Sequence, residues 1–372
     1  MNFKISKKEF LDALSLSSRA ISNTTPLPSL SGIKILVTEN SLILISSDSN
    51  ISIKTCINNN DSSALVIKEQ GEIVIDAKYL LEIVRKIDSE FINVEIIDGT
   101  LVKIFGGNSE FKINGMSTNE YPEINFDILD NNPFKLETTL FNQIIDETAF
   151  ACSDSETRPV LTGVNLKAHD KKLFANATDS YRLATKTIDI DTDLNFDITI
   201  PAKYLNDIYH SIANEKEITI SITNQKISFI FGNSIIDTRL LDDAFPDTSR
   251  LIPTEYTNEL IVNSKELVSA IDRSSFIKSD GKNIIKLNIN ENRIELTSSN
   301  QIGSSFETVK VISFKGSPLE ISCSGKYLIE AIKAVAAEDI TIKFSGELKP
   351  MIVKDEKSDN LIQLISPVRT YH

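Results

Sequence analysis

Pro201-Ala202-Lys203-Tyr204-Leu205-Asn206-Asp207-Ile208-Tyr209 is written three times in this chain, with variations. Ala77-Lys78-Tyr79-Leu80-Leu81-Glu82-Ile83-Val84 precedes it, and Gly325-Lys326-Tyr327-Leu328-Ile329-Glu330-Ala331-Ile332 follows. The lysines stand 125 and 123 positions apart. Each copy places apolar residues at i, i+3, i+4 and i+7: Leu80, Ile83, Val84, Ile87; Leu205, Ile208, Tyr209, Ile212; Leu328, Ala331, Ile332, Val335. That spacing predicts an α-helix with one apolar stripe. Asp76 and Ser324 are N-cap candidates, and Pro201 suits a first turn. A repeat of this length is a whole domain rather than a solenoid unit, so three similar domains are expected, over 1–125, 130–250 and 255–372.

Composition narrows the function. The 372 residues carry a net charge of −13, so a nucleic-acid role requires basic residues gathered on one surface. Cys56, Cys152 and Cys323 are scattered, without disulfide or zinc spacing, which fits a reducing compartment. The N-terminus lacks an apolar signal core, and no uncharged run approaches membrane-spanning length; a cytoplasmic protein is expected.

Along the chain, 4–21 has a helical pattern with Ser6 as cap, and strand-like runs follow at 33–37, 42–46 and 51–57. Beyond the first repeat helix come 92–97, 101–105 and 111–113, with Asp98-Gly99 as a hairpin signal. The order then restarts. Leu161-Thr162-Gly163-Val164 lies 131 residues after Leu30-Ser31-Gly32-Ile33, and Asp179 lies 131 after Asp48. Each domain reads as helix then strands, twice. The expected architecture is α+β: three domains, each two helices packed on antiparallel sheet.

No catalytic motif emerges: the chain has no P-loop, no G-x-G-x-x-G and no H-E-x-x-H. Asp189-Ile190-Asp191-Thr192-Asp193 begins like a calcium loop but has Leu194 where glycine is needed and Ile200 where the bidentate acid belongs, so it reads as a solvated acidic linker. No metal, cofactor or catalytic residue is assigned. The repeat helices offer more. Lys78 and Arg85, Lys203 and His210, and Lys326 and Lys333 are i, i+7 pairs opposite their apolar stripes. Glu82, Asp207 and Glu330 share those faces, so an ordinary solvated surface is the alternative. Equivalence in three domains favours a common polyanion-facing surface.

The chain is similar over its whole length to the bacterial sliding clamp family, the β subunit of DNA polymerase III. The resemblance is carried by Arg158-Pro159-Val160-Leu161-Thr162-Gly163-Val164, by Ala177-Thr178-Asp179-Ser180-Tyr181-Arg182-Leu183-Ala184, by Phe245-Pro246-Asp247 with Arg250 and Pro253, and by Leu364-Ile365-Ser366-Pro367-Val368-Arg369. It implies a non-enzymatic processivity factor: a ring-shaped head-to-tail homodimer of six similar domains encircling double-stranded DNA without reading sequence. Lys78, Arg85, Arg158, Lys203, His210, Lys326 and Lys333 would face the DNA. It also implies a pocket for short peptide tails of the polymerase, clamp loader and other replication proteins. By position that pocket falls on Leu161, Thr178, Ser180, Tyr181, Arg182, Leu183, Pro246, Arg250, Leu251, Tyr327, Leu348, Pro350, Ser366, Pro367, Val368 and Arg369. Arg182 and Arg369 are expected to keep wet heads over an apolar floor that includes Leu183.

The family often has glycine and histidine at Ser180 and Tyr181 and asparagine at Ser324, and Lys282 occupies a place that can be aromatic. Dimer contacts are expected at Phe111 and Ile113 on one side, and at Phe276 and Ile277 on the other. The rival readings are a monomeric three-domain adhesion or peptide-binding protein indifferent to DNA, and a hydrolase with an unrecognised triad.

Overall fold

The structure, a computed structural model, describes residues 1–22, 27–60, 62–128, 133–278 and 281–369. Among them are six α-helices: α1 Lys7–Ser17, α2 Ala77–Lys86, α3 Thr138–Thr148, α4 Ala202–Ser211, α5 Ser264–Ser274 and α6 Gly325–Val335. Each starts where a strand stops: Asn2–Ser6, Gly71–Asp76, Phe134–Glu137, Phe196–Pro201, Asn258–Asn263 and Leu319–Ser324 run directly into α1 to α6. One strand–helix device is therefore used six times, twice per repeat.

Local chemistry sets these junctions. The Asp76 side chain accepts from Tyr79 N at 3.2 Å, and Ser324 Oγ accepts from Tyr327 N at 3.4 Å, each satisfying an otherwise orphan donor of the first turn. Two expectations are corrected here. Pro201 closes its strand rather than opening the helix, which starts at Ala202. The N-terminal helix starts at Lys7 rather than at residue 4, because Phe3 and Ile5 alternate with half-buried neighbours as a strand. Period two prevails over the helical pattern there, since both side chains reach the core only from an extended backbone.

The chain forms two compact units, Met1–Thr139 with Asn206–Leu240, and Leu140–Leu205 with Leu241–His372. The first holds two antiparallel sheets. One is five-stranded, in the order Val66–Glu69, Asn2–Ser6, Phe91–Asp98, Leu101–Gly106, Ser109–Asn114. The other is eight-stranded, and Ser234–Arg239 pairs with Ile51–Asn58 at its middle. Phe10 and Leu14 of α1 and Leu80, Ile83 and Val84 of α2 pack in one core with Ile33, Ile75, Ile92 and Val102. Each such side chain contributes roughly 1.5–3 kcal/mol of burial.

The second unit holds a nine-stranded sheet, in which Arg182–Asp189 pairs with Leu361–Ile365, and a four-stranded sheet ordered Ser304–Lys310, Arg293–Ser299, Ile284–Ile289, Leu319–Ser324. Its core takes Leu267 and Ile271 from α5 and Leu328 and Ile332 from α6.

Two repeat correspondences have a steric cause. A Cβ at Gly32 would lie 2.9 Å from Ile75 O, and at Gly163 2.6 Å from Ile200 O, so only glycine lets these strands approach. The Asp48 and Asp179 turns are also twins. Asp48 Oδ1 accepts from Asn50 N and Ile51 N, and Asp179 Oδ1 from Tyr181 N and Arg182 N, all within 3.0 Å. Ser49 and Ser180 between them take left-handed backbone, with φ of 80° and 78°. Glycine at 180 removes that strain, so Ser180→Gly is expected to stabilise the protein by about 0.5 kcal/mol after the entropy of the freer unfolded chain is deducted, read as a rise in the urea midpoint.

Burial also separates the thiols. Cys152 and Cys323 are enclosed, which pushes each up to about 12, whereas Cys56 is partly exposed. An Ellman titration at pH 8 is expected to count one fast thiol in the native chain and three after unfolding.

Candidate partner groove, basic helix faces and open sheet edges

The groove is built from the end of the nine-stranded sheet. Ser366 N donates to Tyr181 O at 2.9 Å and Val368 N donates to Ser322 O at 2.8 Å, pinning the C-terminal segment to the Asp179 turn and to strand Leu319–Ser324. Beside it opens a cavity of about 910 Å³, lined by Tyr181, Phe276, Ile284, Tyr327, Ile329, Ser366, Pro367, Val368 and Arg369, with Lys278, Lys282, Ser324, Lys326, Glu330 and Lys333. It has the size of a ligand or peptide site, with aromatic and aliphatic surface inside a polar rim.

Arg182 lies under this cavity. Its Nε donates to Asp179 Oδ2 at 3.0 Å, and its two terminal nitrogens meet Glu330 of α6 and Phe150 O. The guanidinium carbon stands 4.3 Å from the centre of the Tyr327 ring and 5.3 Å from that of Phe150. The side chain is 8% exposed. The expected wet head is thus corrected: two carboxylates and a carbonyl replace water around it, and it fastens the Asp179 turn to α6. Burial, with Asp179 beside the ring, pushes the Tyr327 hydroxyl up to about 12.

Leu183 is likewise no part of the floor. It is buried with Ile352 and Leu364 where the strands pair. Leu161 and Thr178 are buried too, and Thr178 Oγ1 is spent on Arg182 O at 2.5 Å. Ser180 is exposed at its turn. Arg250, Leu251 and Leu348 are exposed, Pro246 is exposed, and Pro350 is half-buried; none of these borders the cavity. The cavity instead gathers Tyr181, Tyr327 and the segment 366–369 from the expected set, together with Lys282 and Ser324. Sequence reasoning missed Ile284 and Ile329 as wall residues. The one available signal was that Lys326, Ile329 and Lys333 share an i, i+3, i+7 face of α6.

The basic residues of the repeat helices are exposed, as are Arg158 and His210. Their acidic neighbours engage some of them. Glu82 pairs with Arg85 at 2.6 Å and with Lys86 at 3.4 Å, and Glu330 stands 3.9 Å from Lys326. Lys203 Nζ sits 5.1 Å from the centre of the Tyr204 ring. Such surface pairs are weak and exchange readily for other anions. Lys326 and Lys333 also border the cavity, so α6 serves both surfaces.

Two sheets end in open edges carrying exposed aromatics. Ser109–Asn114 bounds the five-stranded sheet with Phe111 38% exposed, and Ile113 leans partly into the core. Ser304–Lys310 bounds the four-stranded sheet with Phe306 62% exposed. Ile277, expected as an interface contact, is only 6% exposed and packs inside its own unit, and Phe276, 77% exposed, borders the cavity. Phe306 is the aromatic on that edge which sequence reasoning missed; its strand alternates exposed and half-buried positions, which only the sheet order reveals as an edge. Among the described residues, no group of three or more His, Cys, Asp or Glu is placed to hold a metal, and no helix is long and apolar enough to cross a membrane.

Three repeats of paired helices with antiparallel sheet, basic residues at matching helix positions and unpaired sheet edges define a DNA-clamp protein. Models of the N-terminal, central and C-terminal domains of the DNA polymerase III beta subunit match residues 1–125, 135–247 and 249–369. The beta sliding clamp of Bacillus subtilis is 35% identical over 379 residues, covering all of both chains, and that of Staphylococcus aureus strain N315 is 35% identical over 377 residues, also covering all of both. The solved B. subtilis DNA polymerase sliding clamp superposes with a TM-score of 0.95 at 34% identity, and the Streptococcus pyogenes beta subunit with 0.93 at 33%, each covering the whole of both chains. The chain belongs to the DNA polymerase III beta-subunit family. It is a DNA sliding clamp, a non-catalytic processivity subunit.

Proposed function

We propose that two copies close head to tail into a ring, the edge Ser109–Asn114 of one meeting the edge Ser304–Lys310 of the other, and that the ring encircles duplex DNA and tethers the polymerase. The observation that carries this reading is the exposure of Lys78, Lys203 and Lys326 at equivalent places on three repeat helices in a chain of charge −13. Few, sequence-blind phosphate contacts give weak, salt-sensitive affinity, while a closed ring holds without affinity. Clamps loaded on nicked circular DNA are therefore expected to persist in moderate salt and to leave when the circle is linearised. Equal retention on linear DNA refutes encirclement. Glutamate at Lys78, Arg85, Lys203, Lys326 and Lys333 together is expected to impair loading and spare the dimer.

The cavity beside Tyr327 and Val368 is proposed as the site for partner peptide tails. Ordering a free tail offsets much of the contact energy, so a single tail binds weakly, with Kd around micromolar, and gains strength through a second contact or tether. Deleting 367–372 is expected to abolish binding of a Q-L-x-L-F-like peptide in an anisotropy titration while leaving the sedimenting species unchanged. An unaltered affinity in the truncated protein places the site elsewhere.

A further inference from the structure

The wall of this cavity is more basic than the chain that builds it. Lys278, Lys282, Lys326, Lys333 and Arg369 border it in a protein with 52 acidic and 39 basic side chains. Among the described residues the one carboxylate on the wall is Glu330, which is engaged by Arg182 and stands near Lys326. Lys282, Lys326 and Lys333 are solvent-exposed, so their ammonium groups are available to an incoming chain. Apolar side chains, Ile329 and Val368 among them, lie between these cations and offer contacts for aliphatic and aromatic anchors.

We propose that the segments this groove selects are apolar peptides whose flanks carry aspartate or glutamate. The proposal rests on the reading of the cavity as a partner-peptide site and adds the charge that such a partner must bear. Apolar anchors set the affinity of such a site; opposite charges on its rim set the approach rate and reject wrong partners. A basic-flanked tail would leave like charges facing one another, whereas an acidic flank replaces the counter-ions that the lysines otherwise hold. Single-stranded nucleic acid also satisfies lysines and aromatic rings, but it has no aliphatic anchors for Ile329, Pro367 and Val368.

The test uses the full chain and three fluorescein-labelled peptides with one Leu-Phe core and flanks of three aspartates, three serines or three lysines. Each charge near the rim shifts the Kd by about 1.5-fold, so across the six-charge difference the aspartate peptide is expected to bind about tenfold tighter than the lysine peptide in low salt. That advantage should fall below about twofold near 0.5 M salt, where screening is nearly complete. Lys282→Glu with Lys333→Glu should cancel or invert the preference, and the serine peptide should still bind. If all three peptides bind alike while the serine peptide binds normally, the charge inference fails and the groove stands. If the serine peptide itself does not bind, the groove reading fails and takes the inference with it. If oligothymidylate binding depends on the same two lysines and flank charge has no effect, the rim is a nucleic-acid surface and the proposal is overturned.

Discussion

Phe306→Asp is expected to leave the protein monomeric at micromolar concentration, where the unaltered chain is expected to sediment as a dimer. The 62% exposed ring sits on an edge strand that, among the described residues, pairs with another strand on one side only. Such an edge, long and bearing apolar side chains, is a pairing surface, and natural proteins leave one open only when something covers it. Phe111 on the edge Ser109–Asn114 is the complementary aromatic. A carboxylate buried between them would lack a partner, which weakens association by about 4 kcal/mol, or roughly a thousandfold in Kd. Because ring closure is what keeps a clamp on a circle, retention on nicked DNA should fall with it. Ile277→Val is the contrasting change: it trims a buried side chain and should lower the melting temperature slightly without touching the dimer. A dimer that survives Phe306→Asp removes this edge from the interface.

Arg182→Met is the second large effect. Arg182 is the buried cation that bridges the Asp179 and Glu330 carboxylates, and it also satisfies Phe150 O. Methionine fills much of the volume but takes the buried cation from both carboxylates and the donor from a carbonyl. Asp179 keeps its backbone donors and Glu330 its 3.9 Å contact with Lys326. Breaking a buried ion pair in this way costs about 3–5 kcal/mol. For a unit of this size that corresponds to a fall of roughly 10 °C in its melting temperature. The same change frees the Asp179 turn and removes the cation stacked on Tyr327, so peptide affinity should fall with stability. Glu330→Gln added to Arg182→Met should recover part of the stability, since one of the two carboxylates that lost the cation is gone. If Arg182→Met loses less than about 1 kcal/mol, the guanidinium is not holding the turn to α6.

The repeat helices, the cap residues Asp76 and Ser324 and the twin glycines Gly32 and Gly163 were all legible in the sequence. Each answers a local requirement: a stripe at helical period, an orphan donor at a helix start, a strand crossing with no room for a Cβ. Such requirements act on side chains a few residues apart, so they leave a periodic or positional mark. The same holds for the lysines opposite each stripe, whose exposure follows from the helix alone.

Other features arise only when distant segments meet. Strand 182–189 pairs with 361–365, nearly two hundred residues further on, and that pairing buries Leu183 beside Leu364. Glu330 reaches Arg182 across 148 positions, which turns a side chain legible as a wet rim into a buried tie. Sheet order makes Ser304–Lys310 an edge and so gives Phe306 its exposure, while the interior takes Ile277. Sequence by itself determined the repeat, the helices and the family, because periodicity and capping are local physics. Tertiary structure decided which polar groups lose water, which strands lack a neighbour and which lysines of α6 face the groove, because burial is a property of all the chain that folds over a residue.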